Sequence, residues 1–446
     1  EVNNDLLNIN YQDLTFKILR LYLDDYTDDE IRYCIAQAYN KNNFEDNLVD
    51  IKDFDDFSFL TLYHGPTLAF KDMALTILPY LLAQALKKNN DNNKTWILTA
   101  TSGDTGSASL CGFSQTSTIS TLVLYPNNCV SPLQELQMHA FQKNGSKCLS
   151  VCGNFDDCQN IVKKAFLNIK DERINLASAN SINIGRLIPQ IVYYYYAYIS
   201  LVNKKRIKLG EYINVSVPTG NFGNILAAFL AKLMGLPINQ LICASNHNNV
   251  LTEFFNTGLY NKNRPFYKTL SPSMDILVSS NLERYLYLIS NDEKKVLSYM
   301  NQLSNVGYYE LDKNLKEKLK DFQAYYSSDE EIKQNILDCY NKYHFLIDPH
   351  TACGYDAYLK SKKDHHYTLV VSTASPFKFP NAYQDLFNIK SDNVFLELHN
   401  LARITNTKFD EKIDLLKNVE IKKNILEIKD KSIDEILDEI KQYLGV

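Results

Sequence analysis

The chain has 446 residues and a net charge of −5, and 45% of its residues are hydrophobic. That length exceeds what one hydrophobic core supports, so we expect two or three domains of an ordinary globular protein. The slightly acidic balance excludes a broad basic face for nucleic acid, and the longest apolar runs are too short or too interrupted to span a bilayer.

The nine cysteines are scattered and include no Cys-x-x-Cys pair, so the sequence predicts no metal site. Buried free thiols in a reducing compartment are the expected use of such cysteines. The N-terminal residues are acidic and polar and do not look like a signal peptide, so we expect a cytoplasmic protein.

Residues 1–50 predict an N-terminal helical segment. Residues 13–22 carry apolar side chains at helical spacing, and the sequence TDDE at residues 27–30 is a capped start for a helix that continues to Tyr39. We expect this segment to be an integral addition to the fold that follows it.

Short apolar runs then alternate with helical patterns, which predicts an α/β fold with parallel sheets between helices. Strands are predicted at residues 96–99, 121–125, 148–151, 213–217, 241–244 and 369–373, and helices at residues 157–167, 187–201 and 224–234. The strand-like runs form an early and a later cluster, so we expect two α/β domains with a cleft between them. The larger domain is predicted at residues 51–97 and 203–446, and the smaller, inserted one at residues 98–202.

Lys71 stands in an apolar, nearly uncharged stretch, residues 62–72 of sequence LYHGPTLAFKD, just after a Gly-Pro turn. Burial disfavours an ammonium, so the pKa of such a lysine should fall and its neutral amine become available. A neutral amine condenses with carbonyls, including the aldehyde of pyridoxal 5′-phosphate (PLP). The alternative, which is the commoner case for a lone lysine, is a stem packed on the core with the ammonium in water.

Residues 218–224, of sequence PTGNFGN, follow a predicted strand and open an apolar helix. Backbone N–H groups that converge at a helix N-terminus make a cradle for phosphate. The pattern matches neither a nucleotide P-loop nor a dinucleotide-binding turn. The alternative is a glycine-rich turn that serves packing alone. The candidate phosphate ligands are Thr219, Gly220, Asn221, Phe222, Gly223 and Asn224.

Residues 101–106, of sequence TSGDTG, also lie between a strand and a helix. Hydroxyl and backbone N–H groups at Ser102, Gly103 and Thr105 suit a carboxylate, and Asp104 is placed to face a ring hydroxyl. The alternative is an ordinary helix cap in which the glycines only allow a tight turn.

Two further segments offer groups for an anion. Residues 178–186, of sequence SANSINIGR, end in Arg186, whose guanidinium suits phosphate. The strand at residues 369–373 leads to Lys378, and Ser372 or Thr373 at its end could bond a ring nitrogen, because strand ends of open α/β sheets face the ligand crevice. The alternatives are a cap cluster with a salt-bridged arginine, and a strand end closed by a proline turn.

Six segments together resemble the threonine synthase family, and they occur in that family's order: residues 64–72, 100–106, 125–135, 178–186, 218–224 and 374–379. The resemblance covers most of the chain and implies a fold type II PLP enzyme. It implies that Lys71 is the Schiff-base lysine and that residues 218–224 bind the cofactor phosphate. It also implies that Thr373 lies near the pyridine nitrogen and that residues 102–106 contact the substrate carboxylate and the ring. The ligands implied for the substrate phosphate are Asn180, Asn183, Arg186 and Lys378.

The sequence departs from the family at two places. The family's usual Thr-Ala-His-Pro is TASP here, so Ser375 stands where a histidine is expected. The Gly-rich segment with which the family usually begins would lie upstream of Glu1.

The reaction implied by the resemblance converts O-phospho-L-homoserine and water to L-threonine and phosphate, by β,γ-elimination and addition of water at Cβ. The alternatives are a related PLP lyase that yields a 2-oxo acid, such as a phospholyase or a serine/threonine dehydratase, and a catalytically silent PLP-binding regulator. We expect a small-molecule substrate, no nucleic-acid or membrane partner, and a monomer or homodimer.

Overall fold

The computed structural model describes residues 2–44, 47–361 and 364–446. The strands of this part of the chain are β1 (Asp50–Asp53), β2 (Phe57–Thr61), β3 (Lys94–Ala100), β4 (Ile119–Pro126), β5 (Lys147–Val151), β6 (Ile174–Ala177), β7 (Ile213–Pro218), β8 (Ile238–Ser245), β9 (Leu259–Asn261), β10 (Tyr308–Glu310), β11 (Phe322–Tyr326), β12 (Tyr367–Ser372) and β13 (Asn424–Leu426).

The α-helices of the same ranges are α1 (Tyr11–Arg20), α2 (Asp28–Ala38), α3 (Asp72–Leu75), α4 (Leu78–Lys88), α5 (Asp104–Phe113), α6 (Pro132–Ala140), α7 (Phe155–Asn168), α8 (Ile184–Asn203), α9 (Gly223–Leu233), α10 (Val250–Thr257), α11 (Leu282–Ser290), α12 (Glu293–Asn305), α13 (Lys313–Glu317), α14 (Asp329–Tyr343), α15 (Pro349–Lys360), α16 (Val394–Thr405), α17 (Glu411–Asp414) and α18 (Ile433–Leu444). No described helix is both long enough and apolar enough to cross a membrane.

The chain divides into two compact units, which interleave along the sequence. Unit 1 comprises Glu1–Leu14, Val49–Tyr63 and Gln190–Thr407, and unit 2 comprises Thr15–Leu48, His64–Pro189 and Lys408–Val446. The domain bounds expected from the sequence, at residues 97/98 and 202/203, stay a prediction.

Unit 1 is built on a six-stranded sheet of order β1-β2-β12-β7-β8-β11. Only β1 runs antiparallel to its neighbour, and the other pairs are parallel. β7 and β12 are buried at every position, as strands covered by helices on both faces must be, and their apolar sequences satisfy this. Because these two strands are parallel neighbours, the segments that follow their carboxyl ends lie at one edge of the sheet.

Unit 2 is built on a five-stranded parallel sheet of order β13-β5-β4-β3-β6. One face of this sheet packs with α7 and α18 into a shared core that contains Trp96, Leu149, Ile161, Leu426 and Ile440. The last strand and the last helix of the chain therefore complete the core of a unit whose central strands lie far upstream.

The α/β fold with parallel sheets is confirmed, and every strand predicted from the sequence is present. The bounds differ by up to three residues, as at the start of β8. β12 ends at Ser372, so Thr373 lies just beyond the strand. The capped start of α2 also forms as predicted, since the Thr27 hydroxyl accepts from Glu30 N (3.2 Å) and the Glu30 carboxylate accepts from Thr27 N (2.8 Å).

Candidate active site

Lys71 immediately precedes α3 in unit 2, and its side chain is 10% exposed. Its Nζ lies 3.6 Å from Oδ2 of Asp104, which is also buried. The predicted burial of the Lys71 side chain is confirmed. The sequence around Lys71 is apolar, and the fold brings the Asp104 carboxylate close to it from a segment that follows α4 and β3.

The loop before Lys71 is fixed by hydrogen bonds within unit 2. The buried Asp72 carboxylate accepts from the backbone N (2.8 Å) and the hydroxyl (2.6 Å) of Thr67. Gly65 is required here, because a Cβ at this position would lie 2.5 Å from Cβ of Asp72. Lys412 holds the start of the loop by donating to the carbonyl of His64 (3.3 Å). The lysine is therefore presented by a rigid turn.

Asp104 begins α5, directly after the loop that leaves β3. The Thr101 hydroxyl organises this loop by accepting from the N–H groups of Gly103 (2.9 Å) and Gly106 (2.8 Å). Among the described residues, the N–H groups of Ser102 and Thr105 have no hydrogen-bond acceptor. Unpaired N–H groups at a helix N-terminus suit a carboxylate ligand.

The predicted anion-binding segment at residues 178–186 lies beside this loop. β6 and β3 are parallel neighbours, and the amide of Asn180 bonds the backbone of Ala100, with Nδ2 donating to O (2.7 Å) and Oδ1 accepting from N (3.3 Å). Asn183 also uses its side chain locally, donating to Ser178 O (2.8 Å) and accepting from Gly185 N (2.9 Å). Both asparagines thus shape the segment, and their contact with a substrate phosphate stays a prediction.

Arg186 is buried, and its Nη1 donates to the Ala179 carbonyl at 2.9 Å. This bond holds the guanidinium at the N-terminal end of α8, within the same segment. Whether the guanidinium contacts an anionic ligand stays a prediction.

The turn between β7 and α9 has the geometry of an anion site in unit 1. Phe222, just before α9, is in the left-handed region (φ 64°), and the N–H groups of Asn221, Phe222, Gly223 and Asn224 have no acceptor among the described residues. Successive N–H groups in such a turn form a concave anion-binding nest, which the helix N-terminus reinforces.

The carbonyl side of this turn is anchored. The Ser279 hydroxyl donates to Gly220 O (2.8 Å), and the Asn281 amide donates to Asn221 O (3.0 Å). Thr219 is committed to the strands, since its N bonds Ala244 O (2.8 Å) and its hydroxyl bonds Val217 O (2.7 Å). The unpaired N–H groups are therefore held in place for a ligand.

Two tyrosines of α8 support the first turn of α9. The hydroxyls of Tyr193 and Tyr194 lie 2.6 Å and 2.5 Å from Oδ1 of Asn224, and both rings are buried. Sequence reasoning did not find this role. Four consecutive tyrosines at residues 193–196 cover every side of a helix, so some of their rings must be buried, but the run does not identify their partner.

Thr373 lies just past the end of β12, next to β7 in the sheet. Its N donates to the Thr351 hydroxyl (3.2 Å), which lies 3.1 Å from the Ser372 hydroxyl and itself donates to the buried Asp348 carboxylate. The Thr373 hydroxyl has no partner among the described residues. A hydroxyl carried by an anchored backbone at this edge suits the ring nitrogen predicted for it.

Asp348 and Thr351 are supporting residues that sequence reasoning missed. The sequence DPHT at residues 348–351 is a readable cap for α15, and Asp348 does accept from His350 N (2.9 Å) and Thr351 N (3.3 Å). The cap was the available signal, but its link to β12 required the fold.

Lys378 lies in the short 3-10 helix Pro376–Lys378 and is fully buried in unit 1, and Ser375 is buried just before it. These residues follow the same strand end as Thr373. Whether Lys378 contacts a substrate phosphate stays a prediction.

Each unit holds donors that suit a part of PLP. Unit 1 holds an anchored N–H nest suited to a phosphate ester and, at the same sheet edge, a hydroxyl suited to a ring nitrogen. Unit 2 holds a buried lysine amine, which can bind the aldehyde, beside a carboxylate that can face a ring hydroxyl.

Comparison with known proteins agrees with this chemistry. Residues 59–374 match the family described as "Pyridoxal-phosphate dependent enzyme". The chain is 35% identical to threonine synthase of Saccharomyces cerevisiae over 95% of this chain and 89% of the relative. It is 39% identical to human threonine synthase-like 1 over 80% of this chain, and this match spans 50% of that relative's length.

A solved structure is similar over nearly the whole length. The X-ray structure of PLP-bound threonine synthase from Brucella melitensis has a TM-score of 0.83 and 30% identity to this chain, and the match covers 98% of this chain and 90% of that one.

Proposed function

The chain belongs to the threonine synthase family of PLP-dependent enzymes, and we propose that it converts O-phospho-L-homoserine and water to L-threonine and phosphate. One observation carries the assignment of roles: the buried Lys71 amine lies 3.6 Å from the Asp104 carboxylate in a turn that hydrogen bonds hold rigid. Such a pair holds the lysine side chain at a fixed place beside a carboxylate, where it can meet a cofactor aldehyde.

Lys71 would hold the aldehyde carbon of the cofactor covalently, the N–H groups of residues 221–224 would bind its phosphate, and the Thr373 hydroxyl would bond its ring nitrogen. Asp104 would face its ring hydroxyl. When bound, PLP supplies a conjugated ring that stabilises the negative charge left when Cα loses its proton.

The protein's own residues bind the substrate and move its protons. The N–H groups of Ser102 and Thr105 bind the substrate carboxylate. The amine of Lys71 would take the proton from Cα and then one from Cβ as phosphate leaves Cγ, and it would later return protons to Cγ and Cα. Arg186 and Lys378, with the amides of Asn180 and Asn183, bind the substrate phosphate and favour its departure from Cγ.

The last step separates this function from that of a lyase. Water must be excluded while phosphate leaves and then admitted to add at Cβ. Addition of water retains the four-carbon amino acid as threonine, whereas loss of the amino group would give 2-oxobutyrate and ammonia.

The decisive experiment is product analysis with purified protein, PLP and O-phospho-L-homoserine. Phosphate and threonine should appear in equal amounts. In heavy-oxygen water the label should enter the β-hydroxyl of threonine and not the phosphate, because the bond that breaks joins Cγ to oxygen. Formation of 2-oxobutyrate would replace the proposal with a phospholyase, and absence of phosphate release would leave a silent PLP-binding protein.

We also propose a reducing compartment, the cytoplasm, and a monomer or homodimer. All nine cysteines lie in the described ranges, and each is a free thiol, seven of them buried. Burial raises the pKa of the Cys34 thiol to about 12, so it stays protonated and unreactive. Light scattering of the purified holoenzyme would give the oligomeric state, and fractionation of cells would give the compartment.

A further inference from the structure

Several helices of this protein begin with a reciprocal capping box. In such a box, the side chain of the residue just before the helix and that of the third helical residue each accept a hydrogen bond from the other's backbone N–H. Five described helices have one: Thr27 with Glu30, Ser131 with Gln134, Asn154 with Asp157, Ser328 with Glu331, and Ser432 with Glu435. Four of these boxes place a carboxylate at the third position. Only the box of α6 uses an amide.

The amide of Gln134 makes a second bond that a carboxylate cannot make. Its Oε1 accepts from Ser131 N (2.9 Å), which closes the box, and its Nε2 donates to Oδ1 of Asp104 (2.8 Å). Gln134 is fully buried. A glutamate would close the box equally well, but it would then face the Asp104 carboxylate without a proton to donate.

The loop that carries Asp104 is shaped to admit this amide. Gly103 has φ +135°, a conformation that favours glycine, and a Cβ there would lie 2.3 Å from Cδ of Gln134. The missing side chain at residue 103 is thus the space that Gln134 occupies.

We propose that Gln134 is a positioning residue of the active site. By holding Oδ1 of Asp104, it turns Oδ2 toward Nζ of Lys71, so the end of a helix cap fixes the carboxylate that orients the amine. The inference rests on the proposed function for the roles of Lys71 and Asp104, and its test is built so that the two can fail separately.

The test variant is Gln134→Glu, which keeps shape and cap but replaces the donor with a like charge. We expect the affinity of the cofactor-free protein for PLP to fall about tenfold to a hundredfold, the scale of a hydrogen bond to a charged group, with an altered visible band of the bound cofactor and a lower kcat. The matched control is Glu435→Gln, the reverse exchange in the box of α18, which should leave affinity, band and kcat unchanged.

A double variant separates positioning from simple destabilisation. When Gln134→Glu is combined with Asp104→Asn, the new amide at residue 104 can donate to the new carboxylate at residue 134. The hydrogen bond between the two side chains is thus restored with its direction reversed. Thermal stability should recover relative to Gln134→Glu alone, whereas kcat should stay low because no carboxylate faces Lys71. Strictly additive effects of the two changes would show that the side chains are not coupled and would overturn the proposal.

The proposal would also be overturned if Gln134→Glu had the PLP affinity, the visible band and the kcat of the wild type. If Gln134→Glu does not fold, Gln134→Met is measured instead, since it removes both bonds without adding charge. Its PLP affinity must fall, and unchanged affinity rejects the inference. A wild type that binds PLP but forms no threonine would refute the proposed function and leave the affinity test of Gln134 valid.

Discussion

The hydroxyl of Tyr194 lies 2.5 Å from Oδ1 of Asn224, and this contact joins the tyrosine-rich helix α8 to the first turn of α9. The N–H groups at that turn are the proposed phosphate site. A hydrogen bond made well inside unit 1 thus fixes a ligand-binding element.

Tyr194→Phe should weaken this support. We expect the free energy of unfolding to fall by about 1 kcal/mol and PLP affinity to fall up to about tenfold, because the turn is held less firmly. Equilibrium titration of the cofactor-free protein measures the affinity. Pyridoxal, which lacks the phosphate, should bind equally to both proteins, and Tyr195→Phe, whose hydroxyl bonds Met234 O at 3.1 Å instead, is the matched variant. An equal loss of affinity for pyridoxal would contradict the role.

Lys71→Ala should abolish the visible band of covalently held PLP and lower threonine formation more than about a hundredfold, since both the covalent link and the proton-transferring group are lost. Absorbance spectra and product assays check this. Lys88→Ala is the control, because Nζ of Lys88 forms a partly exposed ion pair with Glu30 (3.0 Å) that is worth at most about 1 kcal/mol. A coloured, active Lys71→Ala protein would refute the assignment.

Gly103→Ala and Gly210→Ala separate crowding from backbone strain. Both glycines have positive φ, +135° and +84°, but a Cβ at Gly210 meets nothing within 4 Å, whereas one at Gly103 meets Gln134 at 2.3 Å. Gly210→Ala should cost about 1–2 kcal/mol of stability from strain. Gly103→Ala should cost more and should also weaken PLP binding. Thermal unfolding and PLP titration measure the two, and equal behaviour would argue against a close fit around Gln134.

Alkaline pH should destabilise the fold through buried tyrosines. Burial, with a further contribution from Asp25, raises the pKa of Tyr26 to about 12, and its hydroxyl donates to Leu81 O (2.8 Å). A tyrosine whose folded pKa is raised contributes stability that is complete below its unfolded pKa of about 10 and is lost as pH rises toward about 12.

Urea unfolding at several pH values measures this loss, and the tyrosinate absorbance reports ionisation. Tyr26→Phe should make the decline in the free energy of unfolding less steep between pH about 10 and about 12. An identical slope in the variant would exclude Tyr26 as a contributor.

The family, the fold class and the cofactor predicted from the sequence are confirmed. Runs such as residues 213–217 and 121–125 predict strands because parallel strands buried on both faces must be apolar throughout. The strand Ile174–Ala177 was missed because its half-buried residues give no such run. β13 was missed because three residues carry no periodicity, and only pairing with β5 makes them a strand.

Candidate site residues on turns with a strong local pattern could be proposed from the sequence more easily than residues that act through a partner. The sequence indicated Lys71 and Asp104 as separate candidates, but their contact depends on the tertiary structure. The segment SPLQE at residues 131–135 has the pattern of a capping box that includes Gln134, but sequence reasoning did not use this pattern. The second bond of the Gln134 amide depends on a contact that spans thirty residues of sequence.

The interleaving of the two units has a consequence for synthesis on the ribosome. Trp96 and Leu149 pack with Leu426 and Ile440, so unit 2 cannot complete its core until the final helix has left the exit tunnel. Unit 2, which carries Lys71, therefore stays incompletely folded while the rest of unit 1 is synthesised. During that time an apolar face of its sheet remains uncovered. Nascent chains of this protein should depend on chaperones until α18 has emerged from the ribosome. Removal of α18 should abolish the function of Lys71, which lies hundreds of residues upstream.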